Sequence, residues 1–327
     1  MSHLTKVKEW LSYRPDLKVV DCTIRDGGLM NNSQFDDTVV KAVYEACLEA
    51  GVDYMEIGYK ASKKIFAPSQ YGPWRHCNEE DVRRIIGEND TNLKIAVMAD
   101  AEKTDYKTDI LPCDNSVIDM IRVATYIHQL PIAMDMIKDA HDKGYQATAN
   151  IMGISVAPEH ELFEGLELLA ESEVDVIYVV DSFGHLYGEQ VRFFVQKYLE
   201  YLSDSGKTVG IHAHNNLQLA FANTIEAIAI GANMVDATIG GLGRGAGNCQ
   251  MELLLGFLHN PKFNIRPILK CLQEHIEPKR AELGWGFDIP YLVTGMLNLH
   301  PQTAIEYQTS EQSKDYIGFY DTTIKNI

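Results

Sequence analysis

Short runs of apolar, largely β-branched residues recur through the first three quarters of the chain: KVVDCT (18–23), DYMEIG (53–58), KIAVMA (94–99), VIDMIRVA (117–124), QATANIM (146–152), VIYVVD (176–181), VGIHAH (209–214) and MVDATI (234–239). Each has the length of a strand and is almost continuously apolar, the pattern of strands covered on both faces. Between them the apolar positions shift to helical spacing. Val39, Val43, Ala46, Cys47 and Ala50 share a face, with Gly51 placed as a C-cap; Ile132, Met136, Ile137 and Ala140 end before Gly144; Leu162, Leu166 and Leu169 follow Pro158. Strand–helix alternation implies parallel pairing, and eight such units predict an α/β fold, a closed (β/α)8 TIM barrel rather than an open sheet.

The alternation is weakest over 100–112, where no clean helix precedes the fourth strand. After the eighth run, MELLLGFL (251–258) reads as the helix that completes the repeat. The barrel is therefore expected to occupy 1–260 as the catalytic domain, with 261–327 a helical extension packed on it. The apolar content of 278–301 argues against a disordered tail, whereas the residues from about Ser310 read as polar and loose.

Composition narrows the partners. A chain of 327 residues with 46% hydrophobic and 23% charged residues has the balance of a soluble globular protein. Its formal net charge of −17 repels phosphate backbones and anionic lipid surfaces, so small-molecule chemistry is expected, with neither nucleic acid nor membrane as a partner. The six cysteines lack CxxC spacing and read as reduced thiols. Neither a signal-peptide core in MSHLTKVKEWLSYRP nor a membrane-length apolar run is present, which together predict a cytoplasmic protein.

In a barrel of this type the chemistry gathers at the C-terminal ends of the strands. DCTIRDGG (21–28) lies at the end of the first run and HAHNN (212–216) at the end of the seventh. His212 and His214 are two residues apart on a strand and so point to the same side, where Asp26 can join them. One carboxylate and two imidazoles with open positions suit a divalent ion such as Mn, Mg, Fe or Zn. The bland alternatives are a solvated Arg-Asp turn and a pair of structural histidines. GGLGRGAGN (240–248) loosely matches a dinucleotide fingerprint, but it closes a barrel repeat instead of opening a βαβ unit, so nucleotide binding is rejected. A phosphate site there stays open, and Asn248 can offer a carbonyl oxygen to a metal. Glu56 and Asp181, at strand ends, read either as partners that fix a histidine tautomer or as plain strand-end residues.

Taken together, DCTIRDGG, RVAT (122–125), VVDSFG (179–184), HAHNN and GLGRGAGN resemble the DRE-TIM metallolyases, the superfamily of HMG-CoA lyase, isopropylmalate synthase and 4-hydroxy-2-oxovalerate aldolase, with the likeness strongest to the aldolase branch. The resemblance runs in order over roughly 18–260. It implies Asp26, His212 and His214 as metal ligands, Asn248 as a fourth ligand or near neighbour, and Mn²⁺ or Mg²⁺, then Zn²⁺ or Co²⁺, as the ion. It further implies an aldolase acting on a pyruvate-type 2-oxo acid and an aldehyde. The metal acts as Lewis acid toward an enolate, Arg25 meets the developing charge, and Gly27-Gly28 let the loop bend close to both. A homodimer and, through the C-terminal region, contact with an aldehyde dehydrogenase belong to the same implication.

One position departs from the pattern. The aldolases carry a histidine base three residues after the aspartate, and here that residue is Leu29, which cannot take a proton. The base must come from elsewhere: His185, His128, Tyr291 or His300, with His185 favoured for its short turn beside the seventh strand. Two rival readings stand beside the aldolase: a Claisen-type acyl-CoA condensing enzyme or HMG-CoA lyase-like enzyme, and a barrel that has lost catalysis and serves as a subunit.

Overall fold

The eight apolar runs form β1 (Lys18–Asp21), β2 (Tyr54–Tyr59), β3 (Lys94–Asp100), β4 (Met120–Thr125), β5 (Gln146–Ile151), β6 (Val176–Asp181), β7 (Thr208–Ala213) and β8 (Met234–Ala237). In the computed structural model, which describes residues 13–310 and 313–327, they pair in parallel and in chain order, and β8 closes on β1. Residues 1–12, most of the stretch read for a signal peptide, lie outside the described residues. Among the described residues no helix is long and apolar enough to cross a membrane.

The two faces of each strand serve different ends. Val19, Ile57, Val97, Ile121, Val123, Ile177, Val179 and Ile211 pack outward against the helices in one large core. Their neighbours Val20, Cys22, Ala96, Met120, Tyr178, Val180 and Met234 fill the barrel interior as a separate cluster. This period of two is what carries Arg122, His212 and Asp236 inward on their strands. Gly210 on β7 is required by that interior: a Cβ there would lie 2.7 Å from the Tyr178 ring.

Outside the strands run α2 (Asp37–Ala50), α3 (Glu79–Ile86), α5 (Leu130–Asp142), α6 (Glu159–Ala170), α7 (Gly188–Tyr201) and α8 (Ala220–Ile230), following a short α1 (Thr23–Gly27). Gly51 ends α2 in the left-handed region, φ 74°, as its position predicts. Between β3 and β4 there are only the single turn α4 (Tyr106–Asp109) and a 3-10 turn (Cys113–Asn115), in agreement with the weak helical pattern there. After β8 come α9 (Met251–Phe257) and α10 (Ile265–Cys271), and α10 packs against α2.

The remaining helices are α11 (Arg280–Leu283), α12 (Ile289–Met296), α13 (Gln302–Gln308) and α14 (Tyr316–Lys325). The loose tail expected from Ser310 is corrected by α14: Phe319 is buried against Tyr307, ring centroids 4.3 Å apart, and Asp315 accepts the Gly318 N–H at 3.0 Å to cap the helix. Tyr291, Val293, Ala304 and Phe319 form a small core that also takes in Ala246 from the glycine-rich loop after β8. Trp285 Nε1 donates to the Gly240 carbonyl of the same loop at 3.0 Å. The extension is thereby seated on the C-terminal mouth of the barrel.

Candidate metal centre and active site

β1 ends at Asp21, whose carboxylate accepts from the Thr23 backbone N–H (3.1 Å) and hydroxyl (2.6 Å) and turns the chain into α1. That turn brings Arg25 and Asp26, both buried, to the mouth. The glycines that follow do not act by bending: Gly28 has φ −60°, a value any residue adopts. Gly27 supplies room, since a Cβ there would lie 2.8 Å from Leu242 of the loop above it.

Asp26 Oδ2 lies 3.4 Å from His212 Nε2 and 3.9 Å from His214 Nε2. Each imidazole is tied at its other nitrogen. His212 Nδ1 donates to Asp236 Oδ2 at 2.9 Å, and His214 Nδ1 donates to the Asp181 carbonyl at 2.9 Å. Those acceptors fix the tautomers and leave both Nε2 lone pairs facing Asp26. Burial opposes charge on Asp26, but Arg25 and the two imidazoles outweigh it and hold its carboxyl well below the usual range. His214 is pushed down to about 3 by burial and by its neighbour His212, which keeps it neutral. Nε2 of His212 and Oδ1 of Asn248 are buried without a partner among the described residues. The Asn248 amide nitrogen donates to Asp26 Oδ2, and half a turn of the amide would present Oδ1 to the same spot. A carboxylate, two imidazoles whose Nε2 atoms converge on it and an amide with an orphaned acceptor fit a divalent cation, whose binding would displace the proton that, against burial, the carboxylates favour on His212.

Beneath this cluster runs a chain of buried charges. Arg25 bonds Asp26 Oδ1 (3.1 Å) and Glu56 Oε2 (2.6 Å); the same Glu56 oxygen pairs with Arg122 (2.9 Å); Arg122 pairs with Asp236 (2.6 Å), which holds His212. Burial would raise Asp236, yet Arg122 and His212 bring it down to about 2. Glu56 thus braces arginines and no histidine, and Asp181 orients His214 through its backbone carbonyl while its carboxylate accepts from the His185 and Leu186 N–H groups.

A cavity of about 210 Å³ opens over the centre, lined by Arg25, Asp26, His212 and His214 together with Leu29 and, from the extension, His300. The other base candidates are elsewhere. His185 is not in the cavity wall; its Nδ1 donates to the Gly295 carbonyl of α12 at 2.7 Å. His128 is exposed, and the buried Tyr291 gives its hydroxyl to Gln308 at 2.6 Å. Lys60, just beyond β2, donates to the Cys77 carbonyl at 2.8 Å and does not line this cavity.

Four residues of this region were not singled out from the sequence: Arg122 and Asp236 below the centre, and Arg75 and Arg244 in the cavity wall. Charged residues inside apolar strand runs, Arg in MIRVAT and Asp in MVDAT, were the available signal for the first two, because such positions are tolerated only when paired.

Fold and site together define a (β/α)8 barrel with a carboxylate–bis-imidazole centre at its C-terminal mouth. The chain belongs to the HMGL-like family, whose match spans residues 16–273. It is 33% identical over 244 residues to the oxaloacetate decarboxylase of Mycobacterium tuberculosis, covering 73% of this chain and 69% of that enzyme. It is 32% identical over 264 residues to the 4-hydroxy-2-oxovalerate aldolase of Thermus thermophilus, covering 80% of this chain and 75% of that enzyme. Among solved structures, the N-terminal domain of an aldolase candidate from Bacteroides vulgatus superposes with a TM-score of 0.77 at 27% identity, covering 95% of this chain and all (100%) of that one. The HMG-CoA lyase of Bacillus subtilis, at 17% identity and TM-score 0.65 over 84% of this chain and 95% of its own, shares the fold.

Proposed function

We propose that this protein is a divalent-metal-dependent carbon–carbon lyase that makes or cleaves an aldol of a pyruvate-type 2-oxo acid. The convergence of Asp26, His212 and His214 beside Arg25 in one cavity carries the reading, and the aldolase and decarboxylase relatives support it. Asp26, His212 and His214 would hold the ion, with Asn248 as fourth ligand or neighbour; the oxygen-bearing groups favour Mn²⁺ or Mg²⁺ over Zn²⁺ or Co²⁺. When bound, the ion supplies Lewis-acid stabilisation of negative charge on the substrate's keto oxygen.

The chain's own residues do the rest. Arg25 is clamped through Nε by Glu56 and through Nη1 by Asp26, which leaves Nη2 to meet the enolate oxygen from a fixed direction. Leu29 presents an apolar wall where the related aldolases carry their base. The hydroxyl proton of the aldol must therefore leave toward another group, and His300 is the imidazole of the extension that reaches the cavity, ahead of the favoured sequence candidate His185. The extension 261–327 is on this reading part of the active site and not an appendage to the 1–260 barrel. Contact with an aldehyde dehydrogenase would use its exposed side, where Ile317 and Ile324 of α14 face outward; a homodimer belongs to the same expectation. Six free cysteines fit a cytoplasmic setting.

Leu29 also favours a second reading, decarboxylation of a 2-oxo diacid, because losing carbon dioxide requires no hydroxyl proton to be removed. The test is exchange of pyruvate C3 protons with D2O in the presence of Mn²⁺ or Mg²⁺, followed by mass detection of aldehyde adducts and of pyruvate formed from oxaloacetate. Absence of exchange would remove both readings; adducts favour the aldolase, and pyruvate without adducts favours the decarboxylase.

A further inference from the structure

Two arginines in the cavity wall touch no reacting atom in the chemistry above, and neither has a carboxylate within ion-pair distance among the described residues. Arg75, from the turn Pro73–Arg75 after β2, is 7% exposed, its guanidinium lying over the rings of Phe66 (3.9 Å to the centroid), Tyr59 (4.4 Å) and Tyr71 (5.6 Å). Among the described residues its side chain makes no hydrogen bond or ion pair, and its Nε is buried without an acceptor. Arg244, in the glycine-rich loop, donates through Nη2 to the Ser182 carbonyl at 3.3 Å and sets Nη1 3.3 Å from His300 Nε2, while its Nε too is buried and unpartnered. Both of its neighbours are neutral, since burial and the arginine's own charge push His300 down to about 4. Lys103 adds a further cation to this wall, 4.0 Å from Asp100, the one lining carboxylate besides Asp26.

The fully buried guanidiniums below the centre are paired, Arg25 with Asp26 and Glu56 and Arg122 with Glu56 and Asp236, whereas Arg75 is buried and Arg244 half-buried without such a partner. Burying an unpaired charge is costly, and aromatic faces offset only part of the cost. Two such groups lining one cavity are explained if a ligand completes them. The planar fork of an arginine matches a carboxylate or a phosphate, and the α-carboxylate of a 2-oxo acid already has the metal end of the cavity to itself.

We propose that the substrate carries a second anionic group, a carboxylate or a phosphate ester, on the part of the molecule remote from its 2-oxo acid end, and that Arg75 and Arg244 bind it. This rests on the aldolase reading and narrows its co-substrate to an anionic aldehyde. In the condensing direction C3 of the 2-oxo acid gives up a proton and bonds to the aldehyde carbon, and the aldehyde oxygen takes a proton. The charged tail changes no bond and serves recognition alone.

The experiment compares kcat/KM for condensation with pyruvate, Mn²⁺ present, using succinic semialdehyde, glycolaldehyde phosphate and neutral butanal. A charged aldehyde should be preferred over butanal by about tenfold or more, and whichever charged aldehyde leads identifies the group as carboxylate or phosphate. In Arg75→Met and in Arg244→Met that ratio should fall by about tenfold or more, with partial recovery in the Lys variants. The ratio compares two aldehydes on one protein, so a general loss of fold or metal cancels. Calorimetric titration of the metal-free protein with inorganic phosphate and with succinate reads the same site without turnover, and the anion that binds should bind more weakly in both Met variants. Equal kcat/KM for charged and neutral aldehydes, a preference that both Met variants keep, or anion binding indifferent to both arginines would overturn the proposal. C3 proton exchange in the native protein separates the two readings: its absence removes the lyase reading, whereas exchange without a preference for charged aldehydes, or with no aldehyde accepted, removes this one alone.

Discussion

Asp236 Oδ2 accepts the Nδ1–H of His212 at 2.9 Å while the same oxygen pairs with Arg122 at 2.6 Å, so the orientation of a proposed metal ligand is set by an arginine it never touches. Asp236→Asn keeps the shape but can present its NH2 group to His212 and removes the charge that raises the ring's basicity. Metal affinity should fall by about 10–100-fold, the usual effect of losing the partner behind a ligand histidine. Competition with a chromophoric chelator measures it; an unchanged affinity would show that His212 is oriented by its packing alone.

Asp26→Ala and His212→Ala remove donors and should abolish stoichiometric Mn²⁺ or Mg²⁺ binding. The barrel should persist in both, because its core lies in the apolar clusters on either side of the strands. Elemental analysis after gel filtration, alongside circular dichroism, decides the matter. Full metal content in both folded variants would remove the ligand assignment.

The barrel was legible because its physics is periodic. Every apolar run became a strand, and the Val39-to-Ala50 face with Gly51 behind it became a capped helix. The convergence of the three candidate ligands was legible for the same reason: His212 and His214 share a face by strand alternation, and Asp26 follows β1 at the mouth. What could not be read is what depends on distance across the fold. Arg122 and Asp236 sit 114 positions apart and meet only after the barrel closes. His300 reaches the cavity through packing of the extension, which Ala246 and Trp285 anchor by contacts that no local pattern announces. His185 looked well placed beside β7, but the carbonyl of Gly295 holds its ring against α12.

Arg122 is fully buried between Glu56 and Asp236, with its guanidinium 4.5 Å from the Tyr178 ring centroid. Arg122→Ala removes the guanidinium that bridges the two carboxylates, leaving Glu56 to Arg25 alone and Asp236 to His212 alone. Losing one partner of a buried ion pair costs about 3–5 kcal/mol, so chemical denaturation should show a drop of that order. A loss below about 1 kcal/mol, the level of an exposed pair, would mean that water or a proton compensates the network.

A lysine Schiff base is the chemical alternative to metal-assisted enolisation, and geometry disfavours it. Lys60 is held by the Cys77 carbonyl and Glu79 away from the cavity, and Lys103, which does line it, lies beside Asp100. Borohydride added with pyruvate should leave no covalent adduct by mass spectrometry, while a chelator should abolish activity and added metal restore it. A trapped adduct at Lys103 or Lys60 would reverse the assignment.

The proton acceptor is decided by comparing His300 with His185. His300 lines the cavity, edge-on to Phe183 with ring centroids 5.6 Å apart, and its Nε2 stands 3.3 Å from Arg244 Nη1. A neutral imidazole has one lone pair. At Nδ1 it would accept the Gln302 backbone N–H, which lies 3.1 Å away, and at Nε2 it would face the cavity, so proton transfer requires the second tautomer. Arg244 places a donor at that Nε2 lone pair, so its N–H must turn aside before the ring can take a proton, and the same positive charge lowers the ring's basicity. His300→Ala should therefore reduce aldol turnover by about 10²–10⁴-fold, the range of general acid–base catalysis, while metal content and C3 proton exchange of pyruvate persist, since neither requires a hydroxyl proton to leave. His185→Ala loses a bond to the extension and should act mainly on stability, with turnover within about tenfold of the native protein. The reverse pattern, a large loss in His185→Ala with His300→Ala near normal, would return the role to the turn after β6 and reduce the extension to a cover over the barrel mouth.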